Sequence, residues 1–114
     1  MGIWGSDIFE NDAAAAAKAI FDDALSEGLS VADATKRVRE ELDAIAQDES
    51  VAAVIHIALA ALQLENKSLQ PDIKSEVINI IKSGKSLSHW ADLGEVNLTQ
   101  RKQVLSVLGA SLSA

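Results

Sequence analysis

The run Ser50-Val51-Ala52-Ala53-Val54-Ile55-His56-Ile57-Ala58-Leu59-Ala60-Ala61-Leu62-Gln63-Leu64 has only His56 and Gln63 as polar side chains after its opening serine. Val51, Val54, Ile55, Ala58, Leu59 and Leu62 recur at i, i+3, i+4 and i+7, which is the helical period. The other side of that helix is also small or apolar. A helix that is apolar nearly all round belongs in the middle of a bundle, so the rest of the chain is expected to wrap around residues 50–64. The run is too short, and too interrupted by His56, to span a bilayer.

Upstream, Gln47-Asp48-Glu49-Ser50 breaks the preceding pattern and supplies a cap for this central helix. Before it, Ser30-Val31-Ala32-Asp33 opens an amphipathic helix, with Ser30 as N-cap and Asp33 in the reciprocal capping position. Its apolar stripe is Val31, Ala34, Val38, Leu42 and Ile45. The opposite face predicts the i,i+4 pairs Asp33/Arg37, Lys36/Glu40, Arg37/Glu41 and Arg39/Asp43. A first helix over 13–27, stopped by Gly28, buries Ala17, Ile20, Phe21, Ala24 and Leu25. Its alanine run favours helix and lets a neighbour approach closely.

Downstream, Gln70-Pro71-Asp72 marks a helix start with proline at the first position. Ile73, Val77, Ile80 and Ile81 form the buried face, and Gly84 ends the helix. Residues 86–93 predict a short helix carrying Trp90 and closed by Gly94. Asn97 is expected to cap a last helix whose apolar face is Leu98, Val104, Leu105, Leu108 and Leu112. That start places Arg101 and Lys102 in the first turn, the unfavourable end of the helix dipole for cations, which points to a partner or a nearby carboxylate. No stretch alternates with the period of a strand, and no Pro/Ser/Gly linker divides the chain. The expectation is an all-α single domain over residues 1–114, an antiparallel bundle or short array of five to six helices.

The opening Met1-Gly2-Ile3-Trp4-Gly5-Ser6-Asp7-Ile8-Phe9-Glu10-Asn11-Asp12 holds two of the four aromatic residues. Asn11-Asp12 is a helix N-cap signal. Residues 1–12 are expected to form an ordered arm pinned onto the helices, with Trp4, Phe9, Asn11, Asp12 and Trp90 as structural anchors. Trp4, Gly5, Phe9, Asn11, Asp12 and Ala14 follow the pattern W-G-x-G-x-F-x-N-D-x-A, with Asp7 in place of the second glycine. In this the chain resembles a bacterial family catalogued as domain of unknown function 4259. The resemblance implies a small helical domain and supplies no catalytic or binding residues. If the second glycine needs a positive φ, Asp7 must adopt it under strain.

Composition narrows the chemistry. Of 114 residues 48% are hydrophobic but 4% aromatic, so the core is aliphatic, which suits helices packed at close range. The absence of cysteine removes disulfides, thiolate metal sites and cysteine nucleophiles. No targeting segment is apparent, and the expected compartment is the cytoplasm. The net charge of −7 is uneven. Residues 1–49 hold twelve acids against four bases, a net of −8, and residues 50–114 hold five acids against six bases, a net of +1. Such a field disfavours nucleic acid and steers a basic partner.

Histidine is the side chain whose unperturbed pKa lies closest to neutrality, so the two histidines are the first candidates for acid–base work. His56 reads as a partly buried structural residue, an interaction residue or a base. Glu49 lies about 10 Å of helix rise away, too far for a dyad. His89 beside Trp90 is either a recognition pair or an exposed neighbour of a core ring. Adjacent carboxylates such as Asp22-Asp23 and Glu40-Glu41 diverge by about 100° on a helix and cannot share one metal. No metal, cofactor or catalytic motif is found. The expected function is therefore non-enzymatic protein binding, as an acidic inhibitor or immunity-type protein using Asp22, Asp23, Glu27, Glu40 and Glu41 against a basic partner. The alternative is a structural or homo-oligomerisation module built on the Trp4/Phe9 arm.

Overall fold

The computed structural model describes residues 2–113, and six α-helices account for most of them. They are α1 (Asp12–Ser26), α2 (Val31–Glu41), α3 (Glu49–Glu65), α4 (Pro71–Ser83), α5 (Ser88–Ala91) and α6 (Glu95–Ser113), with a 3₁₀ turn over Ile45–Gln47. The fold is an all-α helical array. The central helix α3 packs against α1 on one side and α4 on the other, and α6 closes over α4 and α5.

Local chemistry accounts for most of the boundaries. Asn11 and Ser30 cap α1 and α2, with side-chain oxygens accepting from Ala14 N and Asp33 N. Asp48 does the same for α3 through Ser50 N, and proline begins α4. After α1, Gly28 N donates to Leu25 O and Leu29 N to Ala24 O, with Gly28 at φ +91°. That paired arrangement ends a helix on a left-handed residue, where glycine carries no Cβ penalty. The end of α3 repeats it with Lys67 at φ 55°, the one non-glycine residue at positive φ among those described. Asp7 therefore carries no positive-φ strain.

Two boundaries differ from the periodicity. Helix α2 stops at Glu41 rather than continuing through Ile45, because the chain turns back toward α3 over 42–48. Ile45 is left 46% exposed while Ala46 packs inward. Helix α6 starts at Glu95 after Gly94 (φ +109°), so Asn97 lies inside it, donating to Leu93 O at 3.3 Å, and is not its cap. Arg101 thereby moves into the second turn.

The buried apolar residues form two clusters, both supplied by α3. One joins Ala17, Phe21 and Ala24 of α1, Val38 of α2 and the fully buried Trp90 of α5 to Val54, Ala58 and Leu62. The other joins Ala53, Ile57 and Ala60 on the opposite side of α3 to Ile73, Val77 and Ile80 of α4 and Leu105, Leu108 and Leu112 of α6. The near-continuous apolar circumference of α3 follows from serving both. No helix among the described residues is long and apolar enough to cross a membrane.

The arm is a small hairpin. Ile3 pairs with Asn11, Trp4 N donates to Glu10 O at 2.8 Å, and Asp12 N donates to Gly2 O at 2.8 Å. Successive side chains on an extended segment point to opposite sides. Ile3 packs on the first cluster, and its neighbour Trp4 is turned outward, 64% exposed. Trp4 is thus not an anchor, contrary to the expectation from its size. Phe9 is half-buried against the first cluster, with the Lys18 ammonium 5.8 Å from its ring centre.

Candidate functional site

The arm is held from below by α5 and α6. Three successive arm carbonyls are taken by side chains from the far end of the chain. Trp90 Nε1 donates to Gly5 O at 3.1 Å, and Arg101 Nη1 donates to Ser6 O at 3.3 Å and Asp7 O at 3.0 Å. Ser6 Oγ reaches back to Asn97 O at 3.3 Å and Gln100 Oε1 at 3.4 Å. Asn11, fully buried, caps α1 and also donates from Nδ2 to Ile8 O, while Asp12 Oδ2 accepts from Gly2 N.

Arg101 is fully buried, and its guanidinium carbon lies 4.0 Å from the centre of the Trp90 ring. Stacking on the indole face partly replaces lost hydration. Nε and Nη2 have no hydrogen-bond partner among the described residues, and loss of solvent pushes the guanidinium pKa down to about 10, with Asp7 opposing. The position of the two cations near the start of α6 is explained for Arg101: it serves the arm. The sequence offered no route to this pairing, because the acceptors are backbone atoms about ninety residues earlier.

Above Arg101 a groove of about 740 Å³ runs between the arm and α6. Its arm wall is Gly5 to Ile8 and Glu10, and its helix wall is Gln100, Gln103, Val104, Val107, Leu108 and Ser111. Val107 is 65% exposed.

The five acids expected to bind a partner are all exposed on the α1–α2 hairpin. Asp22 pairs with Lys18 at 2.8 Å, Glu27 with Arg37, and Glu40 more loosely with Lys36 at 4.0 Å. The bond to Asp22 raises the Lys18 pKa, opposed by desolvation. Asp23 and Glu41 have no ion-pair partner among the described residues. Of the four i,i+4 pairs predicted on α2, Lys36/Glu40 forms. Arg37 instead crosses to Glu27 of α1, and Arg39 loses Asp43 because α2 has ended before it. Asp22, Asp23 and Glu27 gather near the α1–α2 turn, whereas Glu40 and Glu41 lie about 15 Å of helix rise beyond it.

His56 and Trp90 are not brought into a shared cleft. His56 lines a cleft of about 510 Å³ with Arg39, Asp43, Asp72 and Glu76, and an adjoining smaller one with Glu49 and Lys85. Burial, then the Arg39 charge, lower its pKa below the ordinary 6.5, against Glu76 and Asp72. Among the described residues, no serine, threonine or lysine lines the larger cleft. No three acids or histidines among the described residues sit close enough to hold a metal ion.

His89 makes a contact that spacing could not reveal, with Nε2 2.8 Å from Ser50 Oγ, which is itself 2.7 Å from Asp48 Oδ1. An ionised carboxylate only accepts, so the single hydroxyl proton goes to Asp48 and His89 Nε2–H donates to Ser50. The bonds from Ser50 hold the Asp48 carboxyl below its usual range. The proton therefore runs the wrong way for His89 to activate Ser50 as a nucleophile. The trio fastens the α3 cap to α5.

No curated protein and no solved structure matches this chain. The family model described as "Domain of unknown function (DUF4259)" matches residues 2–112, which takes in the arm from Gly2 onward, the Arg101–Trp90 seat, α1 to α5 and all but the last residue of α6. With all but the extreme ends of the sequence matched, the chain belongs to the DUF4259 family.

Proposed function

We propose that this chain is a non-enzymatic protein-binding domain, an acidic inhibitor or immunity-type protein that neutralises a basic partner in the cytoplasm. The supporting observation is the surface charge. All twelve acids of residues 1–49 are exposed. In the remainder, Arg101 is buried, so the exposed bases there are Lys67, Lys82, Lys85 and Lys102 with half-buried Lys74, against five exposed acids. Burying one cation leaves that half with no net positive surface charge to offset the acidic half. Complementary charge of this kind speeds association and selects partners.

The test is affinity capture against the products of neighbouring genes, followed by charge reversal at Asp22, Asp23, Glu40 and Glu41. The expected result is a basic partner whose binding weakens at least about tenfold on reversal and falls with added salt. A partner indifferent to both overturns the reading.

A second reading, self-association through the arm, is favoured by the exposed Trp4 ring. Trp4→Ser keeps the arm's backbone bonds, so light scattering of wild type and variant is decisive. Equal masses remove it.

A further inference from the structure

We propose that the groove between the arm and α6 seats an amphipathic basic helix of the partner protein, with apolar side chains on its floor and lysine or arginine against Asp7 and Glu10. The inference rests on the basic-partner reading above and names the element by which that partner is gripped.

Three observations carry it. First, α6 has apolar residues on two stripes. Leu105, Leu108 and Leu112 are buried in the second cluster, whereas Val104 and Val107 face the groove. A surface helix needs one apolar stripe for its own core, and among the described residues the second is only partly covered, with Val104 half-buried and Val107 65% exposed. Next, the α6 residues of the groove, from Gln100 through Val104 and Val107 to Ser111, recur turn by turn. The groove therefore follows the helix axis for roughly 17 Å, the length of about three turns of a second helix laid alongside.

Charge sets the occupant's character. Asp7 and Glu10 are exposed carboxylates on the arm wall, and among the described residues no lysine, arginine or histidine lines the groove. Arg101, which holds the arm wall, is buried and committed to the Ser6 and Asp7 carbonyls. A second copy of this chain would bring its own acidic arm against this one, and an anionic membrane would be repelled. The arm wall is fixed in advance by the Trp90 and Arg101 bonds, so little ordering is lost when a helix docks.

The probe is a fluorescein-labelled synthetic helical peptide of alternating Leu and Lys faces, with a Leu/Glu peptide as counterpart, titrated by anisotropy against the full chain. The Leu/Lys peptide is expected to bind, and to shift the amide resonances of Gly5, Ile8, Val104 and Val107. The neutral double variant Val104→Ser/Val107→Ser, whose Tm reports that it folds, should weaken binding about tenfold. Asp7→Asn/Glu10→Gln should weaken it several-fold and flatten its salt dependence, and the Leu/Glu peptide should not bind. Loss of binding on α1–α2 charge reversal, with both groove variants unaffected, overturns the groove while leaving the basic-partner reading intact. No Leu/Lys binding up to about 100 μM also overturns the groove. The basic-partner reading then stands or falls on the capture experiment alone.

Discussion

Two fully buried polar side chains tie this molecule together, and they do it in opposite ways. At the junction of α2, α3 and α4, Gln63 Nε2 donates to Thr35 Oγ1 at 2.9 Å and Gln70 Oε1 at 2.8 Å, while its Oε1 accepts from Gln70 N at 2.9 Å. Because a backbone N–H can only donate, the amide's orientation is fixed by that last bond. Every polar atom of the Gln63 side chain is used. At the junction of the arm, α5 and α6, Arg101 uses Nη1 and leaves Nε and Nη2 unpaired among the described residues. A neutral group fully satisfied specifies register at small cost, whereas a desolvated charge with two carbonyls and one ring face for company costs stability. The second arrangement is kept because the arm needs donors at three successive carbonyls, and only a long side chain reaches two of them from α6.

The largest effect that would break this contrast is at Arg101. Arg101→Ala should cost about 3 kcal/mol, from the cavity and the lost bonds. Arg101→Met should recover most of that, because removing a buried charge offsets what the bonds supplied. Urea unfolding followed by Trp fluorescence reads both, and a methionine variant as damaged as alanine would show the charge to be stabilising after all. Gln63→Leu, a replacement of similar size, should not be rescued in this way. It strands the Gln70 N–H and should cost about 2 kcal/mol. A leucine variant as stable as wild type would erase the distinction between the two junctions.

The smallest effect sharpens the picture from a third place, His56. Its folded pKa lies below 6.5 because burial and Arg39 disfavour the imidazolium. Between the two values the unfolded chain binds more protons, so stability rises with pH across that interval. Acidification from pH 7.5 should therefore lower Tm as pH falls through 6.5 toward the folded value. The loss should be smaller in His56→Gln, and equal losses in the two proteins would assign the acid sensitivity elsewhere.

Much of the helical frame could be read from residues alone, since caps, glycines and the single proline are local signals. Asn11, Ser30, Pro71, Gly28 and Gly84 each act within a few residues of themselves. The reversal at 42–48 was not readable, because Leu42 and Ile45 keep the helical spacing after the helix has ended. Trp4 misled through its size: a pairwise alternation two residues long decides which of Ile3 and Trp4 faces inward, and only the bridge to Asn11 sets it. Arg101 was illegible for a deeper reason. Charge argues for solvent, and the overriding partners are carbonyls, which are identical at every position of the sequence. The α6 groove was hidden for a related reason, since Val104 reads as part of the helix's one core face, and Val107 draws no notice, until the arm's course is known.

The span of the arm's fastenings has a consequence for assembly during synthesis. Gly5 meets Trp90 and Ser6 meets Arg101 across separations of 85 and 95 residues. Closing so wide a loop has an entropic cost that only the finished α5 and α6 repay. During synthesis Ile3 and Phe9 can pack on the first cluster once α1 to α3 are made, but the carbonyls of Gly5, Ser6 and Asp7 go without these donors until α5 and α6 have followed. The arm's fastening is thus completed later than the helix it caps, because its last three carbonyl bonds wait for side chains that lie beyond α4.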